Sequence, residues 1–550
     1  MKKKSYTQTL SLLALFLSLS ISAYAQNFTD GLNLINKEKY NAAFDYFNTK
    51  LSADAKNAEI YYRLGDISFL QGKNDAAKDF YNKGIAANAN YPQNYIGIAK
   101  TFLAKKDTAS AKGYIEKALA VPDIKPNSIN LDIAEAYINT GMDIKYAINL
   151  INDAMKPDKK NPNARKNSYA YYLLGSAYAQ LNNGSEAIKN FELAIDYDPK
   201  SIKARVGAAS LYTDIKNYEE AKGYFLKAIT MDSTSALANK EFSNLFYQIS
   251  QNDKSLSNQD IMTCYAKAIH YQEVYIYNSE KSPSNLYRYA TLAYLMQDYQ
   301  KTVGIINDYL TLEAKSYGMF RLLAYSEYEL KDDNACKAAF EKYFAIADSS
   351  QTIASDYERY GKTLYNLDDK EGAANSYKKC IQADTSMAYL YGNIAEIYLK
   401  KKNFKEAAEN YELKIAKTGK GGFMDFFNMG QSYYILKNYE KADTAFASAS
   451  LLLPEEPGAY LFRARCKSKI DTTSLVLAIP FYEKTIEKSV GNSTKYKRLL
   501  IESYDSIARY YIEKEEYSKS KTYWEKLIEV DPENENAKTV LSSPQMKKIK

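Results

Sequence analysis

Along most of this chain, apolar residues recur three and four positions apart, stop at a short polar break, and then recur again. The stretch from Ser168 to Ser201 shows the rule. Tyr171, Leu174, Tyr178 and Ala179 fall on one face at helical spacing. Asn182, Asn183 and Gly184 break that helix, Ala187, Phe191 and Ala194 mark a second one, and Pro199 stops it. Gly175 and Ala187 are small where the two helices would touch, and the larger Tyr171, Leu174, Tyr178 and Phe191 fill the space on either side. The pattern predicts a helical hairpin, with no alternating run that would predict a strand.

The hairpin repeats. The small residue that opens its second helix falls at Ala43, Ala77, Ala111, Ala147, Ala187 and Ala221, in steps of 34, 34, 36, 40 and 34. It returns at Ala373, Ala407, Ala442 and Ala478, in steps of 34, 35 and 36. Units such as Tyr61, Leu64, Gly65, Ala77, Tyr81 and Phe426, Met429, Gly430, Tyr433, Ala442, Phe446, Ala449, Pro454 carry the full set of large and small positions. From Asn239 to Ser284 the helical pattern persists, but QNDKSLSNQD inserts polar residues and Ile261 stands where an alanine is expected. This order of residues resembles the tetratricopeptide repeat, a 34-residue helix–turn–helix unit. The resemblance implies an all-α fold, an α-solenoid of about fourteen helix–turn–helix repeats forming a right-handed superhelix with first helices lining a concave face.

Organisation follows from the same reading. Residues 1–25 read as a secretory signal peptide: Lys2, Lys3 and Lys4, an apolar run from Leu10 to Ile21, and Ala23-Tyr24-Ala25 at the cleavage site. Residues 26–240 are expected to form an N-terminal array, 241–283 a divergent helical segment with the polar insertion, and 284–541 a C-terminal array with a final capping helix. Residues 542–550 are expected to be a frayed tail. The net charge is +7, of which the leader's three lysines are part, leaving +4 on the rest. That small, dispersed excess gives no electrostatic case for nucleic acid. Removing the leader leaves no expected transmembrane span. The leader and the four scattered cysteines, Cys264, Cys336, Cys380 and Cys466, suggest a periplasmic or secreted protein, with peripheral outer-membrane association left open. Buried thiols are the expected state of these cysteines.

Catalytic chemistry finds little to work with. His270 is the only histidine, which removes the commonest general base and any multi-histidine metal site. The turn KTGKGG, Lys417 to Gly422, lacks the glycine and the hydroxyl residue that a phosphate loop requires. The acidic pairs Glu219-Glu220, Glu455-Glu456 and Glu515-Glu516 read as solvated turns. No cofactor and no enzymatic activity are expected.

The resemblance also implies where a guest would lie. Carried over position by position, the groove-lining places of the first helix are Tyr62, Phe69, Leu70, Ile96, Leu103, Tyr169, Tyr172 and Val206. In the second array they are Arg288, Leu295, Met296, Phe427, Tyr434 and Ile435. No lysine stands at the fifth positions (Tyr62, Ile96, Tyr172, Val206, Glu358, Gly392 and Phe427), so the clamp by which some members of the family grip a C-terminal carboxylate is not expected. Exposed apolar and aromatic residues in a concavity would favour a protein or peptide partner; the same residues could instead be covered by neighbouring repeats. The expected function is an exported, non-catalytic scaffold that binds other proteins through its concave surface in envelope assembly or complex organisation. The alternative is a polysaccharide- or cell-wall-binding protein that uses exposed tyrosines.

Overall fold

Each expected stripe folds into a helix, and the helices pair. The computed structural model describes residues 28–122, 126–157, 162–312, 315–471 and 475–549, and among them there is no strand. The leader, residues 1–25, lies outside the described residues. Two compact units divide at Lys315 and Ser316.

The first unit begins with α1 (residues 28–36), α2 (Tyr40–Ala53), α3 (Ala58–Leu70), α4 (Asn74–Ala87), α5 (Gln93–Ala104) and α6 (Thr108–Leu119). It continues with α7 (Pro126–Thr140), α8 (Ile144–Ala154), α9 (Ser168–Gln180), α10 (Gly184–Tyr197), α11 (Ile202–Asp214) and α12 (Tyr218–Met231). It ends with α13 (Ala236–Asn252), α14 (Asn258–Asn278), α15 (Pro283–Leu295) and α16 (Tyr299–Leu310). Consecutive odd and even helices form hairpins.

The second unit holds α17 (Tyr317–Leu330), α18 (Asp333–Ile346), α19 (Ala354–Asn366), α20 (Lys370–Ala383), α21 (Leu390–Lys400) and α22 (Phe404–Thr418). Then come α23 (Phe423–Ile435), α24 (Tyr439–Leu452), α25 (Pro457–Ile470), α26 (Ile479–Ser489), α27 (Lys497–Glu513) and α28 (Tyr517–Val530), closed by α29 (Glu535–Ser542) and α30 (Pro544–Lys547).

Small residues set the hairpin geometry. All ten alanines of the repeating series, from Ala43 to Ala478, have no solvent exposure. Where the series lapses, Thr302 and Cys336 take the same buried place. Glycine does a second job: Gly65 and Gly97 sit on the first helices of successive hairpins and clasp the ring of Tyr81 between them. A Cβ at either would stand 2.3 or 2.4 Å from that ring. Gly175 and Gly207 hold Phe191 in the same way. In these two places a ring from the second helix thus wedges between two first helices. It buries the apolar area that neither hairpin could bury alone.

The turn between paired helices has its own signature. Glu38, Gly72, Lys106, Gly141, Asn182 and Lys216 all have positive φ, and Lys402 and Lys437 repeat it in the second unit. At the first regular turn, Gly72 N–H donates to Phe69 O and Lys73 N–H to Ser68 O, which satisfies the last carbonyls of α3.

Two expectations need correction. The segment 241–283 is not a divider between arrays: α13 and α14 form a closely packed hairpin within the first unit, stitched by Ser243 Oγ donating to Ala268 O at 2.8 Å. Its polar insertion spans the last residues of α13, the short loop, and the start of α14, which Ser257 and Asp260 cap reciprocally. Nor is the described part of 542–550 frayed. Met546 on α30 is 3 % exposed within a core cluster with Trp524 and Leu527, and Lys521 Nζ donates to Ile549 O. A short sequence window with three lysines hides that single anchoring methionine.

Candidate functional site: the inner wall of the first unit

In the first unit the odd-numbered helices touch one another in series, α3 on α5, α5 on α7, α7 on α9, α9 on α11 and α11 on α13. The closer packing of this layer makes it the inner wall. Its side chains are bridged from helix to helix. Asp66 on α3 accepts from Tyr81 Oη at 2.7 Å and from Lys100 Nζ on α5 at 2.5 Å. Gln93 on α5 donates to Asp132 on α7 at 3.2 Å, and Tyr169 on α9 bonds to Glu135 on α7. Burial pushes the Asp132 carboxyl up to about 6, against the lowering effect of the Gln93 bond. Burial likewise raises the Tyr62 hydroxyl, with Asp66 and Asp132 adding to it.

The first unit also breaks the usual rule that a repeat meets only its neighbours. Glu38, in the turn between α1 and α2, accepts from Tyr275 Oη on α14 at 2.5 Å and lies 3.5 Å from Lys240 Nζ on α13. Glu280 N–H donates to Glu38 O, and Asn41 N–H to Glu280 Oε2 at 2.9 Å. These residues are roughly 200 to 240 positions apart, so the first hairpin is latched to the seventh. The latch leaves a cavity of about 700 Å³ between the end of α1 and the starts of α9, α11 and α13. Tyr169 and Tyr172 line it from within. Lys37, Lys166, Lys200 and Lys203 surround it, and among the described residues none of the four has a carboxylate partner. Asp198 and Asp232 also face it, but each accepts from the backbone of its own turn.

The expected groove residues are scattered by this arrangement. Tyr169 and Tyr172 come together in the cavity, while Tyr62 and Phe69 join the bridged wall, where Lys100 Nζ stands 4.7 Å from the Phe69 ring. Leu70 is half-exposed at the end of α3. Ile96, Leu103 and Val206 are 4 %, 0 % and 3 % exposed and belong to the core, because the tight stacking of the inner helices covers their positions. Arg288, Leu295 and Met296 fall in the first unit, on α15 and its C-terminus, and Arg288 reaches Asn244 on α13 at 3.2 Å. In the second unit Phe427 packs on Phe446 and Phe462, and Tyr434 on Phe462 and Tyr439. Ile435, beside them, is 51 % exposed. Sequence reasoning missed the lysine ring and Glu38. The basic loop from Lys156 to Ser168 was the one legible hint, since it supplies Lys166.

Other chemistry is sparse among the described residues. No group of three His, Cys, Asp or Glu could hold a metal ion, and no helix is long and apolar enough to cross a membrane. Cys336, Cys380 and Cys466 are buried free thiols, and Cys264 is half-buried. His270 lies in the middle of α14, exposed, with its ring edge-on to Tyr271.

Comparison with known proteins agrees with the hairpins. The tetratricopeptide repeat profile matches residues 58–91, 168–201, 202–235, 357–386, 388–413 and 501–534. A BBSome complex member BBS4 homolog of Drosophila melanogaster is 22 % identical over 311 residues, 55 % of this chain and 61 % of that protein. A TPR repeat-containing protein of Methanocaldococcus jannaschii is 26 % identical over 296 residues, 50 % of this chain and 47 % of that protein. The chain therefore spans about half to three fifths of the length of these curated relatives. Among solved structures, the C-terminal part of a TPR repeat-containing protein from Cytophaga hutchinsonii is 30 % identical. It covers 47 % of this chain and 100 % of that one, with a TM-score of 0.36. Six profile matches, each falling on a helical hairpin with its small residue buried at the crossing, place this chain in the tetratricopeptide repeat family.

Proposed function

We propose that this protein is an exported, non-catalytic scaffold that holds a segment of a partner protein in the latched cavity of its first unit. Tetratricopeptide arrays serve protein–protein interaction, and the finer assignment rests on one observation. The cavity of about 700 Å³ combines two tyrosines in its lining with four lysines that lack carboxylate partners among the described residues. Aromatic side chains with a polar tip supply contact area at small entropic cost, and unpaired rim charges orient a partner. The leader-like start of the sequence supports export, and with it a place in the cell envelope.

The test is recovery of partners from envelope extract by the full chain and by a Tyr172→Ala/Lys200→Glu double variant, followed by mass spectrometry. Loss of the same proteins on the variant is expected, with circular dichroism unchanged. Equal recovery would reject the cavity as the binding place. Fractionation of cells producing the full chain would reject export if the protein stayed in the cytoplasm with its first 25 residues attached.

A further inference from the structure

The first unit carries a second concavity, on the side away from the inner wall. It is a cleft of about 490 Å³ between α12 and α14. Its floor is aromatic. Phe242 and Phe246, one turn apart on α13, lie under Tyr271 of α14, with ring centroids 4.3 and 5.9 Å from it and the Phe246 and Tyr271 planes within 4°. Leu226 on α12 forms one wall and is 52 % exposed. The facing wall is low because α14 presents the small Thr263 and Ala266 there. Three basic side chains stand around this apolar floor: Lys222 on α12, and Lys267 and His270 on α14. No carboxylate lines the cleft. Lys222 is paired outward with Glu219 at 2.7 Å, whereas Lys267 has no carboxylate partner among the described residues and hangs 5.2 Å from the Phe246 ring.

We propose that this cleft binds a small anionic amphiphile, an aliphatic or aromatic body with a carboxylate, sulfate or sulfonate head. The volume lies in the range of small-molecule sites, which are mostly apolar with a few convergent polar groups. A protein partner would need roughly 800 Å² of its own surface buried for a stable interface, and nine lining residues do not offer that. Charge fixes the sign of the head group. The body lies against the exposed Leu226 and the half-buried Tyr271, which covers Phe242 and Phe246 from above, and removes that apolar surface from water. The head lies between Lys267 and His270, with Lys222 able to turn from Glu219 toward it.

The irregular hairpin carries both this cleft and the latch. Ile261 at the usual alanine place is half-buried, and α14 runs 21 residues. The helix is thereby committed to this cleft in its middle and to the latch residue Tyr275 near its end.

The experiment is calorimetric titration of the full chain with dodecanoate below its micelle concentration, with dodecyltrimethylammonium as the cationic counterpart. One saturable site for dodecanoate is expected, with at least tenfold weaker binding of the cation. Ala266 and Lys267 are both exposed, so substitution there leaves the fold intact, which an unchanged unfolding midpoint would verify. Ala266→Trp, which fills the cleft, is expected to weaken binding at least tenfold, and Lys267→Glu to abolish the preference for the anion. Binding of dodecanoate that both variants retain would overturn the proposal. So would equal affinity for the two amphiphiles, or no binding by the wild-type chain.

Discussion

The latch invites a direct perturbation. Tyr275→Phe removes one hydroxyl from a residue that is 3 % exposed and leaves its ring in place. The lost interaction is a hydrogen bond from Tyr275 Oη to the Glu38 carboxylate at 2.5 Å. Hydrogen bonds to charged groups contribute about 1.5–3 kcal/mol. The Lys240 ammonium, 3.5 Å from Glu38 and 41 % exposed, adds at most about 1 kcal/mol and survives the substitution. A loss of about 2 kcal/mol corresponds to roughly thirtyfold in an equilibrium constant. The loss should not appear as global unfolding. A terminal hairpin of a repeat array opens locally; α1–α2 is held by α3, by Phe44 edge-on to Phe80 of α4 and by this latch. The assay is amide hydrogen exchange read by peptide. Exchange in residues 28–53 should accelerate roughly thirtyfold, with little change in α5–α12. In a Glu38→Ala background the same substitution should add almost nothing, because the two residues act through one contact. If exchange in α1–α2 stayed unchanged, or the acceleration spread evenly across the first unit, the latch would not be what holds the first hairpin against the seventh.

Three further outcomes follow from the same geometry. The Asp132 carboxyl is pushed up to about 6 by burial, so the native chain keeps that proton where the unfolded chain has already lost it. Stability therefore falls as pH rises from about 4 to about 6. Asp132→Asn, which can still accept from Gln93, should be about 3 kcal/mol more stable than wild type at pH 7.5 and equal to it below pH 4. Urea titrations at the two pH values check this, and a difference independent of pH would refute it. Gly65→Ala should cost about 1–3 kcal/mol by forcing the Tyr81 ring from its slot, measured by the same titration. Native protein should react with a thiol reagent at Cys264 alone. Burial pushes Cys336 and Cys380 up to about 11 and Cys466 to about 12, so these three should react only once denaturant exposes them.

What could be read from the sequence was whatever repeats every hairpin. The alanine series predicted the crossing points because a first and a second helix can approach only where both side chains are small, and that demand recurs with the period of the fold. The clasp of Gly65 and Gly97 around Tyr81 was half legible for the same reason: the residues were in view, but which ring sits between which helices is a fact of stacking. The turn signature escaped altogether. Its positive-φ position carries Glu38, Lys106, Lys216, Lys402 and Lys437 more often than glycine, and lysine at a turn says only that the turn is wet. The groove positions were transferred as though every repeat curved alike. Where the inner helices of the first unit stack closely, Ile96, Leu103 and Val206 are covered. Where Tyr169 and Tyr172 open onto the cavity, the cause lies some 130 residues upstream, in α1. The functional features belong to breaks in the period. Glu38 occupies a routine turn position, yet its carboxylate reaches a helix six hairpins away. The irregular segment around Ile261, which looked like a seam between two arrays, instead yields the hairpin that meets it, through Lys240 on α13 and Tyr275 on α14. A periodic pattern reports contacts between neighbours; a closure between the first hairpin and the seventh depends on the summed curvature of everything between them, and no local window of sequence contains that sum.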